Sequence, residues 1–242
     1  MKLLVVNPNT SEAMTAGIAR AARAVAGPGT EVCAVHPSFG PQSIEGHFDE
    51  AAAAAGVAEQ VRACTPEPDA VVIACFGDPG LDAAREAVHA PVLGIAEAAF
   101  HAASMLATGF SVVTTMTRTC VIAERLVQRY GFERSCRGIH GTDIAVLDLE
   151  HGGQGALAQI EACAREALAR DRSEAIVLGC AGMAELAAAL EQRLGVPVID
   201  GVGVAVKFAE ALAALKLRTS KRGDYARPLP KRYTGWAQPL GW

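Results

Sequence analysis

Two cysteines occupy matched places in this sequence. Cys75 ends the run Asp69-Ala-Val-Val-Ile-Ala-Cys75, and Cys180 ends Glu174-Ala-Ile-Val-Leu-Gly-Cys180. Each precedes a small turn, Phe76-Gly77-Asp78-Pro79-Gly80 in one case and Ala181-Gly182-Met183 in the other. A thiolate takes a proton and a thiol returns one. Two thiols facing one carbon from opposite sides would therefore invert a centre bearing an acidic hydrogen, with no metal and no organic cofactor. Acid–base help of this kind is worth roughly 10²–10⁴-fold per group. Backbone N–H groups and the positive end of a following helix are expected to favour the thiolate, below the free value of about 8.5. Glycine lets backbone amides approach a ligand, so the turn amides around Gly77, Ala181 and Gly182 are expected to hold a carbonyl oxygen as it becomes an enolate. Pro79 fits an early helical position, and Asp78 is read as the cap of that helix. One strand-end cysteine alone is equally well explained as a buried small side chain; the correspondence between two halves points to chemistry.

The elements that would carry these thiols follow from periodicity. Short β-branched runs alternate with alanine-rich helical stretches, which predicts an α/β fold of parallel strands covered by helices. Strands are expected at 2–6, 31–35, 70–75, 91–95, 110–114, 135–140, 174–179 and 196–199. Helices are expected near 10–26, 49–64, 79–89, 97–107, 117–130, 155–170, 183–194 and 201–215. The echo extends beyond the cysteines: Leu3-Leu-Val-Val-Asn7 matches Phe110-Ser-Val-Val-Thr114, and Ala90-Pro91-Val-Leu matches Val196-Pro197-Val-Ile. These repeats predict a duplicated α/β unit. Ligands of open parallel sheets sit beyond the carboxyl ends of the strands, so a pseudo-twofold axis between the halves would bring both cysteines to one cleft.

Polar residues at the ends of the first strand of each half belong on the same edge: Asn7, Asn9 and Thr10, then Thr114, Thr115 and Thr117. Asn9, Thr114 and Thr115 are candidate substrate contacts, against the ordinary role of such residues in caps and turns. The polar stretch Ser43-Ile44-Glu45-Gly46-His47-Phe48-Asp49 is a candidate lid, with Ser43 and Ile44 as candidate substrate contacts and His47 read as a solvated surface residue. No serine–histidine–acid arrangement stands out. The segment from Leu217 onward turns basic and proline-rich and holds both tryptophans. It reads as an arm packed on the body or on a neighbouring subunit, rather than as a site for an anionic partner.

Composition narrows the classes. The 242 residues are 51% hydrophobic with a formal charge of −4, which leaves no basic field for a nucleic acid; a small molecule is the expected partner. The amino terminus lacks a long apolar stretch, and no apolar run approaches the ~20 residues of a membrane span. The seven cysteines show no paired metal-ligand spacing. A cytoplasmic protein with free thiols is expected.

At the level of motifs the chain resembles the aspartate/glutamate/hydantoin racemase superfamily, and within it the hydantoin and allantoin racemase branch. The resemblance spans essentially the whole chain, through Asn7-Pro-Asn-Thr-Ser11, Ser43-Ile-Glu-Gly46, Ala74-Cys-Phe-Gly-Asp-Pro-Gly80, Val112-Val-Thr-Thr115, Gly179-Cys-Ala-Gly-Met183 and Pro197-Val-Ile-Asp-Gly201. It implies two flavodoxin-like lobes, an interlobe site and catalytic cysteines at Cys75 and Cys180. It also implies a last helix returning to the first lobe, so that residues 1–96 with about 203–242 form one lobe and 97–202 the other, and a homo-oligomer. By similarity the runs Ser43–Glu50 and Cys75–Leu81 lean towards allantoin, the ureido-hydantoin of purine breakdown, over 5-substituted hydantoins. Phe48 and Phe76 would then shape the pocket for the side arm, although a core role suits either equally well. Arylmalonate decarboxylases share the implied fold but use the second cysteine alone, so Cys75 argues for two-sided proton transfer. Maleate cis–trans isomerases also use two cysteines, and the loops lower their standing. A non-catalytic ligand-binding module would lose nothing when either cysteine is replaced.

Overall fold

A computed structural model describes residues 1–151 and 153–241. In chain order the first half comprises β1 (Lys2–Val6), α1 (Glu12–Val25), β2 (Glu31–Val35), α2 (His47–Ala63), β3 (Ala70–Ile73), α3 (Leu81–Ala87), β4 (Val92–Gly94) and α4 (Ile95–Leu106). The second comprises β5 (Phe110–Thr114), α5 (Cys120–Tyr130), β6 (Cys136–Gly141), α6 (Asp148–His151), α7 (Gly153–Asp171), β7 (Ala175–Leu178), α8 (Ala187–Leu194), β8 (Val198–Ile199) and α9 (Gly201–Ala214). Every pairing is parallel, and the two sheets have the orders β2-β1-β3-β4 and β6-β5-β7-β8. The second order is the first repeated, strand for strand, as the sequence echoes predict.

β3, β5 and β7 are buried along their whole length, the mark of parallel strands covered on both faces. Their β-branched and apolar runs supply that burial without alternation. The helices are one-sided instead. Ser11 caps α1 by accepting from the Met14 N–H, and Met14, Ile18 and Ala22 turn inward at helical spacing. Asp200 caps α9 by accepting from Val202 and Gly203 N–H. α9 lies against α1, α4, β3 and β4.

One apolar cluster runs across both sheets and includes Val5, Val72, Phe100, Phe110, Val177 and Val206. Its centre is aromatic: Phe100 stacks on Phe110 with centroids 5.5 Å apart and meets Phe76 edge-on at 5.6 Å. Such pairs add about 0.5–1.5 kcal/mol each beyond area burial, and these join the segment after Cys75 to the second sheet. Close backbone approach completes the join. A Cβ on Gly201 would lie 2.5 Å from the Ile95 carbonyl oxygen, a backbone atom that cannot swing aside. Gly201→Ala is expected to lower stability by about 1–3 kcal/mol, read as a shift of the chemical-denaturation midpoint at constant slope.

One sequence expectation changes and another is met. The helix expected over 183–194 begins instead as a 3-10 segment, Ala181–Leu186, that passes into α8; the chain winds tightly as it leaves Cys180. The basic tail packs on the body. Lys221 Nζ donates to the carbonyls of Arg85, Glu86 and Tyr225 near the end of α3, and Trp236 meets Phe39 edge-on at 5.4 Å. No helix among the described residues is long and apolar enough to cross a membrane.

Candidate active site

Strand register fixes the position of both thiols. Val6 pairs with Ile73 and Val113 with Leu178 at the carboxyl ends of the central strands. Cys75 lies two residues past Ile73, and Cys180 two residues past Leu178. The turns match as well: Asp78 N–H donates to the Cys75 carbonyl and Met183 N–H to the Cys180 carbonyl, each at 3.0 Å. In each sheet the chain leaves the first strand towards one side and the third towards the other, the switch point where open α/β sheets hold ligands.

Both switch points open on one cavity of about 50 Å³, several times what a single water needs. Cys75, Cys180, Asn9, Ile44, Phe76, Gly77, Thr114, Thr115 and Ala181 line it, with Met14, Glu50, Ile122 and Val146 among the other walls. Nine of the predicted site residues therefore share one surface. Ser43 and Gly182 are partly buried but outside the lining, and Phe48 is 90% exposed at the start of α2, away from the cavity. The expected lid thus reaches the cavity through Ile44.

The polar wall is held in place from behind. Asn7 Nδ2 donates to Asn9 Oδ1 at 2.8 Å and to Thr15 Oγ1 at 2.9 Å, so Asn7 serves as a brace. Asn9 Nδ2 has Met14 Sδ as its partner at 3.0 Å, a weak acceptor that leaves the amide free for a stronger one. Thr114 Oγ1 donates to the Gly179 carbonyl at 2.9 Å. Gly179 must lack a side chain, because its Cβ would come within 2.6 Å of Thr114 Cβ. Glu45, next to Ile44, accepts from Val146 N–H at 2.9 Å, which ties the first half to the second beside the cavity wall.

The electrostatics reverse one expectation. Burial pushes Cys180 up to about 11, with the Gly182 N–H opposing and Glu45 adding to the rise. Burial also raises Cys75 well above the ordinary thiol range; the Gly77 N–H opposes, while Cys180, Asp78 and Glu50 push further up. The turn amides are aimed at the sulfurs, as a thiolate would require, but they lose to desolvation by the surrounding protein. Those two amides, of Gly77 and Gly182, are hydrogen-bond partners of the sulfurs.

Asp78 caps a helix, but a different one. α3 starts after Gly80 in a left-handed conformation. The buried Asp78 carboxyl instead accepts from Ala96 N–H and Glu97 N–H at the start of α4 and from Tyr130 Oη at 2.8 Å. It fills the space that a side chain on Gly94 would take. Burial holds its pKa up at about 6 against these three donors.

A serine, an acid and a histidine do meet elsewhere, unseen in the sequence because they come from distant segments. Ser111 Oγ donates to Asp171 Oδ2 at 2.6 Å, and His140 Nε2 lies 2.6 Å from the same oxygen. The acid stands between serine and histidine, so no base faces the hydroxyl as a nucleophilic triad needs; the cluster fastens α7 to β5 and β6. Among the described residues no group of three or more His, Cys, Asp or Glu is placed to hold a metal ion.

Comparison with known proteins gives consistent matches. The family model described as Asp/Glu/Hydantoin racemase matches residues 3–209. A hydantoin racemase of Pseudomonas sp. (strain NS671) is 47% identical over all of this chain and 97% of its own length. The structure of an allantoin racemase from Klebsiella pneumoniae is 55% identical, with a TM-score of 0.97 over 100% of this chain and 99% of that one. An allantoin racemase from Pseudomonas fluorescens is 42% identical, with a TM-score of 0.94 over 97% of this chain and 100% of that one.

Proposed function

This chain belongs to the Asp/Glu/hydantoin racemase family, and we propose that it racemises allantoin by proton transfer between Cys75 and Cys180 on opposite faces of the ring carbon. The observation that carries the proposal is the pair of thiols at equivalent turns, after equivalent strands, on one cavity. Burial raises both thiols, Cys75 the further, and the charges of Cys180, Asp78 and Glu50 add to the rise at Cys75 as that of Glu45 does at Cys180, so a single negative charge rests more easily on Cys180.

The Cys180 thiolate takes the proton from the ring carbon next to a carbonyl, and the carbon's electron pair moves into that carbonyl to give an enolate. Asn9, with its weakly held amide, and the threonines at 114 and 115 are the groups placed to meet the ring's polar edges. The Cys75 thiol then returns its own proton to the opposite face, leaving Cys75 as the thiolate and Cys180 as the thiol. The next molecule of product enantiomer runs the sequence backwards. Residues 1–96 with about 203–242, and 97–202, are the two lobes that present the thiols. The setting proposed is the cytoplasm and the breakdown of purines, in a homo-oligomer whose size light scattering would measure.

A 5-alkyl or 5-aryl hydantoin is the second reading, favoured by the apolar wall of Met14, Ile44, Ile122 and Val146. In D₂O, polarimetry with mass spectrometry on enantiopure allantoin is expected to show loss of rotation with deuterium entering the stereogenic carbon. Loss of carbon dioxide from an arylmalonate without any such exchange would favour a lyase, and binding without exchange a non-catalytic module.

A further inference from the structure

Among the seventeen residues lining the cavity, Glu50 alone carries a carboxyl group. It lies one turn into α2, with its side chain 21% exposed. Its Oε2 is 3.1 Å from His47 Nδ1, and His47 in turn has Arg125 as a neighbour at 3.4 Å. The other oxygen points inward: Oε1 lies 2.6 Å from the position a Cβ on Gly77 would take. Gly77 thus leaves room for the carboxylate to reach the cavity beside Cys75. The second acidic residue nearby, Glu45, is committed through Oε1 to Val146 N–H.

We infer that Glu50 determines which arm the enzyme accepts at the stereocentre, selecting arms that carry N–H donors, such as a ureido group, over alkyl arms. This assignment rests on the racemase reading. An ionised carboxylate only accepts hydrogen bonds. A ureido arm offers it N–H donors, and such charge-assisted bonds are among the stronger ones. An alkyl arm covers the same oxygen and gives nothing back, so the carboxylate loses water without compensation. Sites built to bond a polar group reject analogues that lack it for this reason.

The test compares kcat/KM for enantiopure allantoin with that for enantiopure 5-isopropylhydantoin in the wild-type chain, Glu50→Gln and Glu50→Asp. Glu50→Gln keeps the shape and removes the charge. It is expected to lower kcat/KM for allantoin by roughly 10- to 100-fold, carried mostly by KM, and to raise that for the alkyl hydantoin. Glu50→Asp keeps the charge but withdraws it, and an intermediate ratio is expected; it decides the matter if the glutamine variant melts early. A ratio of the two values that stays within about twofold in both variants overturns the role of Glu50 and leaves the racemase reading standing. A wild-type chain that exchanges deuterium into neither compound overturns both.

Discussion

Racemisation is expected to fall by at least about 10³-fold when either Cys75 or Cys180 becomes serine, with the melting temperature little changed. A serine hydroxyl is far weaker as an acid than a thiol, so the altered face loses its proton relay while the cavity keeps its shape. The informative readout is isotopic. With one thiol left, deuterium exchange continues on one face only, so one enantiomer exchanges with retention and the other not at all. Equal exchange of both enantiomers by either variant would sink the two-sided mechanism. The wild-type pH profile carries the same information. Because burial holds Cys180 at about 11 and Cys75 higher, the fraction of free chain bearing a thiolate grows with pH. kcat/KM is expected to climb from pH about 7 to about 9, with no acidic optimum.

Loss of the Asp78 carboxyl should produce the largest stability change outside the apolar core. Asp78→Ala orphans the Ala96 and Glu97 amides and the Tyr130 hydroxyl, at about 1–3 kcal/mol each. Against this, it removes a charge that burial, even after these hydrogen bonds oppose it, disfavours by roughly 3 kcal/mol, taking the rise from 3.8 to about 6. The three losses together outweigh that relief, and the net expectation is a loss of up to about 6 kcal/mol in denaturant titrations near pH 7. The sign with pH follows from linkage. The folded pKa is raised, so this group's contribution is fully present below the unfolded value of 3.8 and is lost as pH rises through about 6. Asp78→Asn, which keeps an acceptor but cannot ionise, should flatten that window relative to wild type. Parallel curves for the two proteins would show that the carboxyl does not titrate there.

Much of this was legible in the chain because strand runs and duplication are local signals. The Val-Val-Ile and Ile-Val-Leu runs announced β3 and β7, and their echo placed Cys75 and Cys180 on a common edge without any knowledge of the sheet order. What stayed hidden depends on distance. Asp78 reads locally as the cap of the helix that follows it, yet its left-handed backbone, φ 45°, turns the carboxyl onto α4. Glu50 stands one turn inside a helix, where an acidic residue reads as a first-turn favourite; only the open space at Gly77 reveals that it faces the cavity. Phe48 looked like a pocket wall because of its neighbours in sequence, whereas its place on the outer face of α2 leaves it in solvent. The amides after each cysteine do favour the thiolate, but the weight of desolvation depends on how much protein surrounds the sulfur, which spacing alone does not convey.

The two thiols have unequal surroundings, and the thermodynamics of mirror images constrains what that inequality can do. In achiral solvent the enantiomers have the same free energy, so the overall equilibrium constant is one and kcat/KM must be identical in the two directions. The crowding of negative charge around Cys75 therefore cannot favour either product. It can only divide one shared specificity constant differently between turnover and saturation, so that the enantiomer with the larger kcat also has the larger KM by the same factor.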